Sequence, residues 1–195
     1  MARRTQAIIM QAFIELLTQK SLDKITVKDV IERADINRNT FYYYYENIPS
    51  LLDTLFEQEL QKFTASTEKR ESFAKEYVRA YSLVQNNKRA IYHIYQSGER
   101  QSLSRFLETA AELFVESFVR EAAVSYDLDE NGIYYVTHFY SYIIVGMTSH
   151  WVREDMPSVD WNLPERIESS FYASVDSIIR DYIHFNAVHG AKPIP

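Results

Sequence analysis

Between positions 37 and 47 the chain reads Asn-Arg-Asn-Thr-Phe-Tyr-Tyr-Tyr-Tyr-Glu-Asn, and these side chains carry most of its recognisable chemistry. A guanidinium pairs bidentately with the acceptor edge of guanine and a carboxamide with adenine, so Arg38 and Asn39 suit base edges. Hydroxyl donors on rigid stems bind an oxyanion without adding a charge, which suits Thr40, Tyr42 and Tyr44 to phosphates. Tyr43, between them, is placed to reach a thymine methyl. Consecutive helical positions are about 100° apart, so four adjacent rings cannot share one buried side. Phe41 and Tyr45 stand at i and i+4 and define the side that faces a core, leaving other phenols outward.

The elements that must hold these groups are legible from capping residues and apolar spacing. A first helix is predicted over about 5–20, where Ile9, Ala12, Phe13, Leu16 and Leu17 recur on one face. Thr26 then opens a short second helix over about 26–34, with Asp29 three places on to complete the cap and Val27, Val30, Ile31 and Ala34 as its apolar face. The backbone donors at that cap suit a phosphate, which adds Thr26 and Lys28 to the contacting set. Asn37 caps the third helix. Two short helices about three residues apart, behind a longer supporting one, have the spacing of a helix-turn-helix.

Residues 5–55 resemble the N-terminal DNA-binding domain of the TetR family of bacterial transcriptional regulators. The resemblance is carried by Ala12-Phe13, Thr26, Val30-Ile31, Ala34, Ile36, Thr40-Phe41-Tyr42 and Leu51-Leu52. The chain departs from the family pattern at Asp35 in place of the turn glycine, Asn37 for the capping serine, Tyr44 for a histidine and Tyr45 for a phenylalanine. Ile48 stands where the family carries a lysine that reaches a DNA phosphate. The resemblance implies a homodimer binding a pseudo-palindromic operator, most often as a repressor, and released when a small-molecule effector moves the fourth helix. Two alternatives stay open: an activator, and an interaction protein of the same fold that has lost specific DNA binding.

The rest of the chain reads as a larger helical body, giving an all-α fold of about nine helices and two domains, 1–47 and 48–195. A fourth helix is predicted over 48–64, with Asn47 as cap, Pro49 in its first turn and Leu51, Leu52, Leu55, Phe56 and Leu60 on one face. Five more are placed near 71–86, 88–97, 102–124, 129–154 and 164–185. Tyr92 and Tyr95, with Tyr135, His138, Phe139 and Tyr142, are the candidates for lining an effector pocket, which is built from apolar rings with a few polar groups. The span Asn131–Val152 has no Asp, Glu, Lys or Arg. It is long enough for a bilayer, but Asn131, Thr137, His138, Ser141, Thr148, Ser149 and His150 make it too polar for lipid on all sides. A helix covered by its own domain on one face and by a second subunit on the other accounts for the missing charge. Trp151, together with Phe171, Val175, Ile178, Ile179 and Tyr182 on the last helix, is therefore expected at a four-helix dimer interface. Gly146 and Trp151 are similar to a helix seen in many family members.

Composition removes other classes. With four glycines and five prolines in 195 residues, the chain lacks the turn residues that sheet proteins need. The absence of cysteine excludes disulfides, thiol nucleophiles and cysteine-ligated zinc. No two histidines stand at i, i+4, and no nucleophile elbow or phosphate loop occurs, so neither a metal, a cofactor nor an enzymatic activity is expected. No secretory signal pattern is present, and a cytoplasmic protein is expected. The net charge is −6; seven Lys/Arg face six Asp/Glu over residues 1–47, so the body carries −7 and the head +1. So small a positive charge is a weak pointer to polyanion binding.

Overall fold

The computed structural model describes residues 2–65, 71–158, 160 and 162–190. Among them the chain forms nine α-helices and no strand: α1 (Ala2–Leu17), α2 (Val27–Ala34), α3 (Arg38–Tyr44), α4 (Ile48–Ala65), α5 (Phe73–Asn86), α6 (Lys88–Tyr95), α7 (Arg100–Ala123), α8 (Glu130–Arg153) and α9 (Leu163–His189). A 3-10 turn, Leu22–Lys24, links α1 to α2. The expected all-α architecture is thus observed. The end of the tail, residues 191–195, lies outside the described residues.

Contacts divide the chain into two compact units, Met1–Glu68 with Ser82–Phe106, and Lys69–Tyr81 with Leu107–Pro195. The division falls within α5 and α7. In the first unit the periodic apolar positions do what their spacing predicts: Ile9, Phe13 and Leu17 of α1, Val30 of α2, Phe41 of α3 and Leu51 and Leu52 of α4 are fully buried. α1 packs on α2 and α6, and α2 on α3. Two polar ties hold α6 and its following turn against this core. His93 Nδ1 lies 2.6 Å from the Leu17 carbonyl at the end of α1, and the Gly98 amide donates to Asp23 Oδ1 at 3.1 Å. Each satisfies a main-chain group that a helix end or turn leaves open.

In the second unit α8 packs on α9, and an aromatic cluster fills the interior. The Phe73 ring lies within 5.0 Å, centroid to centroid, of Phe114, Phe118 and Phe171. Tyr140 meets Phe171 edge-on at 4.8 Å, and its hydroxyl bonds Ser174 Oγ at 2.7 Å, so the one polar tip in the cluster has a partner. Burial holds the Tyr140 phenol above its ordinary pKa, with the Ser174 hydrogen bond opposing the shift. Asp129 caps α8, its Oδ1 accepting from the Gly132 amide at 2.8 Å. A Cβ on Gly132 would lie 2.6 Å from Leu128 Cγ and 2.8 Å from the Tyr182 ring, so only glycine lets α9 approach there. No helix among the described residues is long and apolar enough to cross a membrane.

Candidate nucleic-acid interface

A reciprocal cap at α2 and a one-way cap at α3 fix where the two helices begin. At α2, the Asp29 amide donates to Thr26 Oγ1 at 3.2 Å, while the Thr26 amide and hydroxyl both donate to Asp29 Oδ2 at 2.7 Å. At α3, Asn37 Oδ1 accepts from the Thr40 amide at 2.8 Å and from the Thr40 hydroxyl at 3.0 Å. Between the helices Asp35 takes the left-handed conformation, with φ 50° and ψ 52°, the backbone geometry usually given to glycine and tolerated by Asp and Asn.

The third helix divides its rings as its period dictates. Phe41 is fully buried and Tyr45 nearly so, with ring centroids 5.9 Å apart. Tyr42 is 46% exposed, Tyr43 79% exposed and Tyr44 half-buried. Tyr43 and Tyr44 meet edge-on at 4.8 Å. Arg38 and Asn39 are exposed on the first turn. Arg38, Asn39, Tyr42 and Tyr43 are therefore available to a macromolecule, while Phe41 and Tyr45 anchor the helix. The Tyr45 hydroxyl is enclosed without a hydrogen-bond partner; burial first, then the neighbouring Tyr44, pushes its pKa up.

Several expected phosphate donors are already engaged. The Thr26 hydroxyl proton is directed at Asp29 and that of Thr40 at Asn37, so each must rotate to serve an oxyanion. Asp29 is held down to about 2, by the Thr26 hydroxyl first and then by Lys20 and the Thr26 amide, which keeps a full negative charge at the start of α2. Lys20 Nζ lies 2.9 Å from it. Lys28 is exposed and 3.7 Å from Glu32. Arg33 spans to Glu15 on α1 and to Gln19 just beyond its end, at 3.1 Å each. The corner leading into α4 is held by neutral groups: Ser50 Oγ accepts the Glu46 and Asn47 amides at 3.1 and 3.2 Å, and Asn47 Oδ1 accepts the Ser50 amide at 2.8 Å. The Asn47 Oδ1–Ser50 amide bond is the cap expected of Asn47; the Lys20–Asp29 pair and the return bonds from the Glu46 and Asn47 amides to Ser50 Oγ had no signal in the sequence.

The effector-pocket candidates fall in both units. On α6, Tyr92 and Tyr95 are half-buried, Tyr92 accepting from Gln96 and Tyr95 lying under the Arg100 guanidinium at 4.3 Å. On α8, His138 is stacked on Tyr134, with Nδ1 2.8 Å from the Tyr134 carbonyl and Nε2 3.3 Å from Glu112. Tyr135, Phe139 and Tyr142 stand on the outer surface of their unit. The inward face of α8 is instead Ile133, Val136, Thr137, Tyr140 and Ser141, which are buried, whereas Tyr135, Phe139 and Tyr142 fall outside that stripe. Of the residues expected between subunits, Phe171, Val175 and Ile179 are buried in their own unit. Ile178 and Tyr182 are half-buried, Tyr182 stacking on Tyr135, and Trp151 packs on Tyr81 while its indole donates to the Pro157 carbonyl. The large exposed apolar side chains of the two helices are Tyr134, Tyr135, Phe139, Tyr142 and Ile143 on α8 and Tyr172, Ile183, Phe185 and Val188 on α9.

Comparison with known proteins agrees with this architecture. Residues 9–55 match the family described as "Bacterial regulatory proteins, tetR family", and residues 71–173 match the "Transcriptional regulator C-terminal region" of the same family. The HTH-type dhaKLM operon transcriptional activator DhaS of Lactococcus lactis subsp. lactis (strain IL1403) is 40% identical over 55 residues, 28% of this chain and 29% of that protein. The uncharacterized HTH-type transcriptional regulator YvdT of Bacillus subtilis (strain 168) is 35% identical over 49 residues, 25% of each. The matches thus span less than a third of these curated relatives. The solved structure of the dihydroxyacetone kinase operon activator DhaS superposes with a TM-score of 0.64 over 93% of this chain and 97% of that one, at 20% identity, which is a likeness of fold.

Proposed function

Because the chain belongs to the TetR family of bacterial regulatory proteins and is a transcriptional regulator, we propose that it binds a pseudo-palindromic operator as a homodimer and is released from it by a small-molecule effector. Residues 1–47 are the DNA-binding part and 48–195 the effector-receiving and dimerising part, in a cytoplasmic protein. The observation that carries the reading is the division of α3: Phe41 and Tyr45 are buried, whereas Arg38, Asn39, Tyr42 and Tyr43 face outward from a capped helix. Arg38 and Asn39 read base edges, Tyr43 contacts the groove wall, and Tyr42 and Tyr44 donate to phosphates. Asn37 and Thr40 fix the start of the recognition helix, and Thr26 and Lys28 approach the backbone at the start of α2. Subunits meet through α8 and α9, with Tyr135, Phe139, Tyr142 and Ile143 in the contact together with the exposed parts of Trp151, Ile178 and Tyr182. A bound conformation sets two recognition helices one helical turn of DNA apart; the effector prefers another, and linkage requires operator and effector to weaken each other by the same factor.

Gel-shift of the purified protein against the DNA upstream of its own gene tests the reading. A sequence-specific complex that competitor DNA does not remove is expected, and binding no stronger than to random duplex overturns it. Repression is the direction taken by most of the family. Activation is a second reading, favoured by the likeness to DhaS, an operon activator; transcription from the bound promoter, with and without the protein, separates the two.

A further inference from the structure

The cations near the recognition helix differ in what holds them. Arg33 is paired with Glu15, Lys20 with Asp29 and Lys28 with Glu32. Arg38 has no carboxylate within ion-pair distance among the described residues. Its guanidinium carbon lies instead 5.5 Å from the centroid of the Tyr42 ring, and its Nη2 donates to the Tyr42 phenol oxygen at 3.4 Å. The Tyr42 ring is in turn held edge-on to Phe41, with centroids 5.5 Å apart and planes at 88°, and Phe41 is fully buried. The exposed guanidinium is therefore connected to the core through one intermediate ring.

We propose that Tyr42 is a positioning residue for base recognition: it holds Arg38 in place on α3 so that the guanidinium meets the O6 and N7 edge of a guanine in each half-site. The proposal rests on the DNA-binding reading above and adds to it a base and a division of labour. Arg38 has five N–H donors, of which the phenol takes one, leaving enough for a bidentate pair. A free arginine must be ordered when it binds, whereas one already lying on a ring loses less freedom at that moment. The phenol oxygen accepts from Arg38, so its own proton stays available for a phosphate. Tyr42 serves both contacts, and only one of them bears on sequence.

The two roles separate in a specificity experiment. The full-length protein selects sites from a random duplex pool, and the wild type, Tyr42→Phe, Tyr42→Ala and Arg38→Ala are then titrated against the selected site and its single-base variants. The wild type is expected to prefer guanine at one position per half-site by about ten- to a hundred-fold, and Arg38→Ala to flatten that position alone. Tyr42→Phe keeps the ring and its packing on Phe41 and is expected to lower the guanine preference several-fold, with Tyr42→Ala lowering it further, while ratios at other positions hold. Tyr42 variants that weaken every sequence by the same factor, with the guanine ratio intact, overturn the proposal and leave a plain phosphate contact. A guanine preference that survives Arg38→Ala overturns it too. A wild type that selects no sequence overturns the DNA-binding reading itself, and is distinguishable because no ratio then exists to compare.

Discussion

Thr26 and Asp29 close a reciprocal cap in which each main-chain amide donates to the other residue's side chain, at 2.7 Å from Thr26 and 3.2 Å from Asp29. The arrangement makes the start of α2 sensitive to acid. The Asp29 carboxyl titrates at about 2 in the folded chain against an ordinary 3.8, so its contribution is fully present above about pH 4 and is lost as the pH falls toward 2. Thr26→Ala is expected to destabilise the chain by about 1 kcal/mol at neutral pH. Asp29→Asn is expected to flatten the loss of stability between pH 4 and 2. Urea midpoints followed by circular dichroism across that range check both, and an unchanged acid limb in Asp29→Asn would show that other carboxylates govern it.

Tyr45 is placed where a phenylalanine would serve. Its hydroxyl is buried without a partner, and such a group costs about 1–3 kcal/mol. Tyr45→Phe removes the hydroxyl and keeps the ring against Phe41, so it is expected to raise thermal stability by about 1 kcal/mol. Because burial raises the phenol's pKa, the folded state disfavours the ionised form: stability is intact below about pH 10, the ordinary phenol value, and falls as the pH rises through the higher folded value. The stabilisation by Tyr45→Phe should therefore grow on the alkaline side. Melting curves at pH 8 and pH 11 measure it, and an equal difference at both would remove the ionisation argument.

What the sequence disclosed follows from what periodicity can encode. The caps at Thr26 and Asn37 and the i, i+4 pair Phe41 and Tyr45 are local signals, and all appear in the structure. The 3-10 turn Leu22–Lys24 was missed because three residues carry no period. α9 runs to His189 rather than stopping near 185, since no breaker precedes Gly190, which has φ +79°. Asp35 was read as a departure from glycine, and the structure puts it in the conformation glycine would have taken. The stripe Phe171, Val175, Ile179 shows the limit: spacing marks a face as apolar without saying whether its own subunit or another covers it. Those three are covered by their own unit. The proposed subunit contact therefore moves to the exposed rings of α8.

Gly146 provides the test of that contact. It is exposed on α8, one turn beyond Tyr142 and Ile143, and a Cβ built there meets nothing within 4 Å in its own chain. Gly146→Leu should leave the subunit folded, with helix propensity gaining about 1 kcal/mol, yet obstruct a second helix packed against the same face. Light scattering coupled to size exclusion is expected to give a dimer for the wild type and a monomer, or a dimer at least tenfold weaker, for the variant. A variant that stays dimeric at the same concentrations would place the contact elsewhere.

Ile48 opens α4 at the position where the family resemblance calls for a phosphate-binding lysine, and the corner around it is built from the neutral exchange between Asn47 and Ser50. Each phosphate neutralised by a cation releases condensed counterions, and the logarithm of the binding constant then falls with the logarithm of salt concentration by about 0.9 per contact. A recognition surface whose backbone contacts come mostly from phenols and amides, with Lys28 and Arg38 as its cations, makes most of its phosphate hydrogen bonds without releasing any. The wild-type protein is therefore expected to lose affinity for its operator only gently as salt rises. Ile48→Lys, half-buried at the helix start with its long stem able to reach outward, is expected to tighten binding at low salt and to steepen the slope by about one per subunit. Fluorescence-anisotropy titrations at several salt concentrations read both quantities. A wild-type slope already typical of many Lys/Arg contacts would mean that other cations reach the backbone, with exposed Arg4 at the start of α1 the first to substitute. An unchanged slope in Ile48→Lys would mean that the start of α4 does not approach DNA at all.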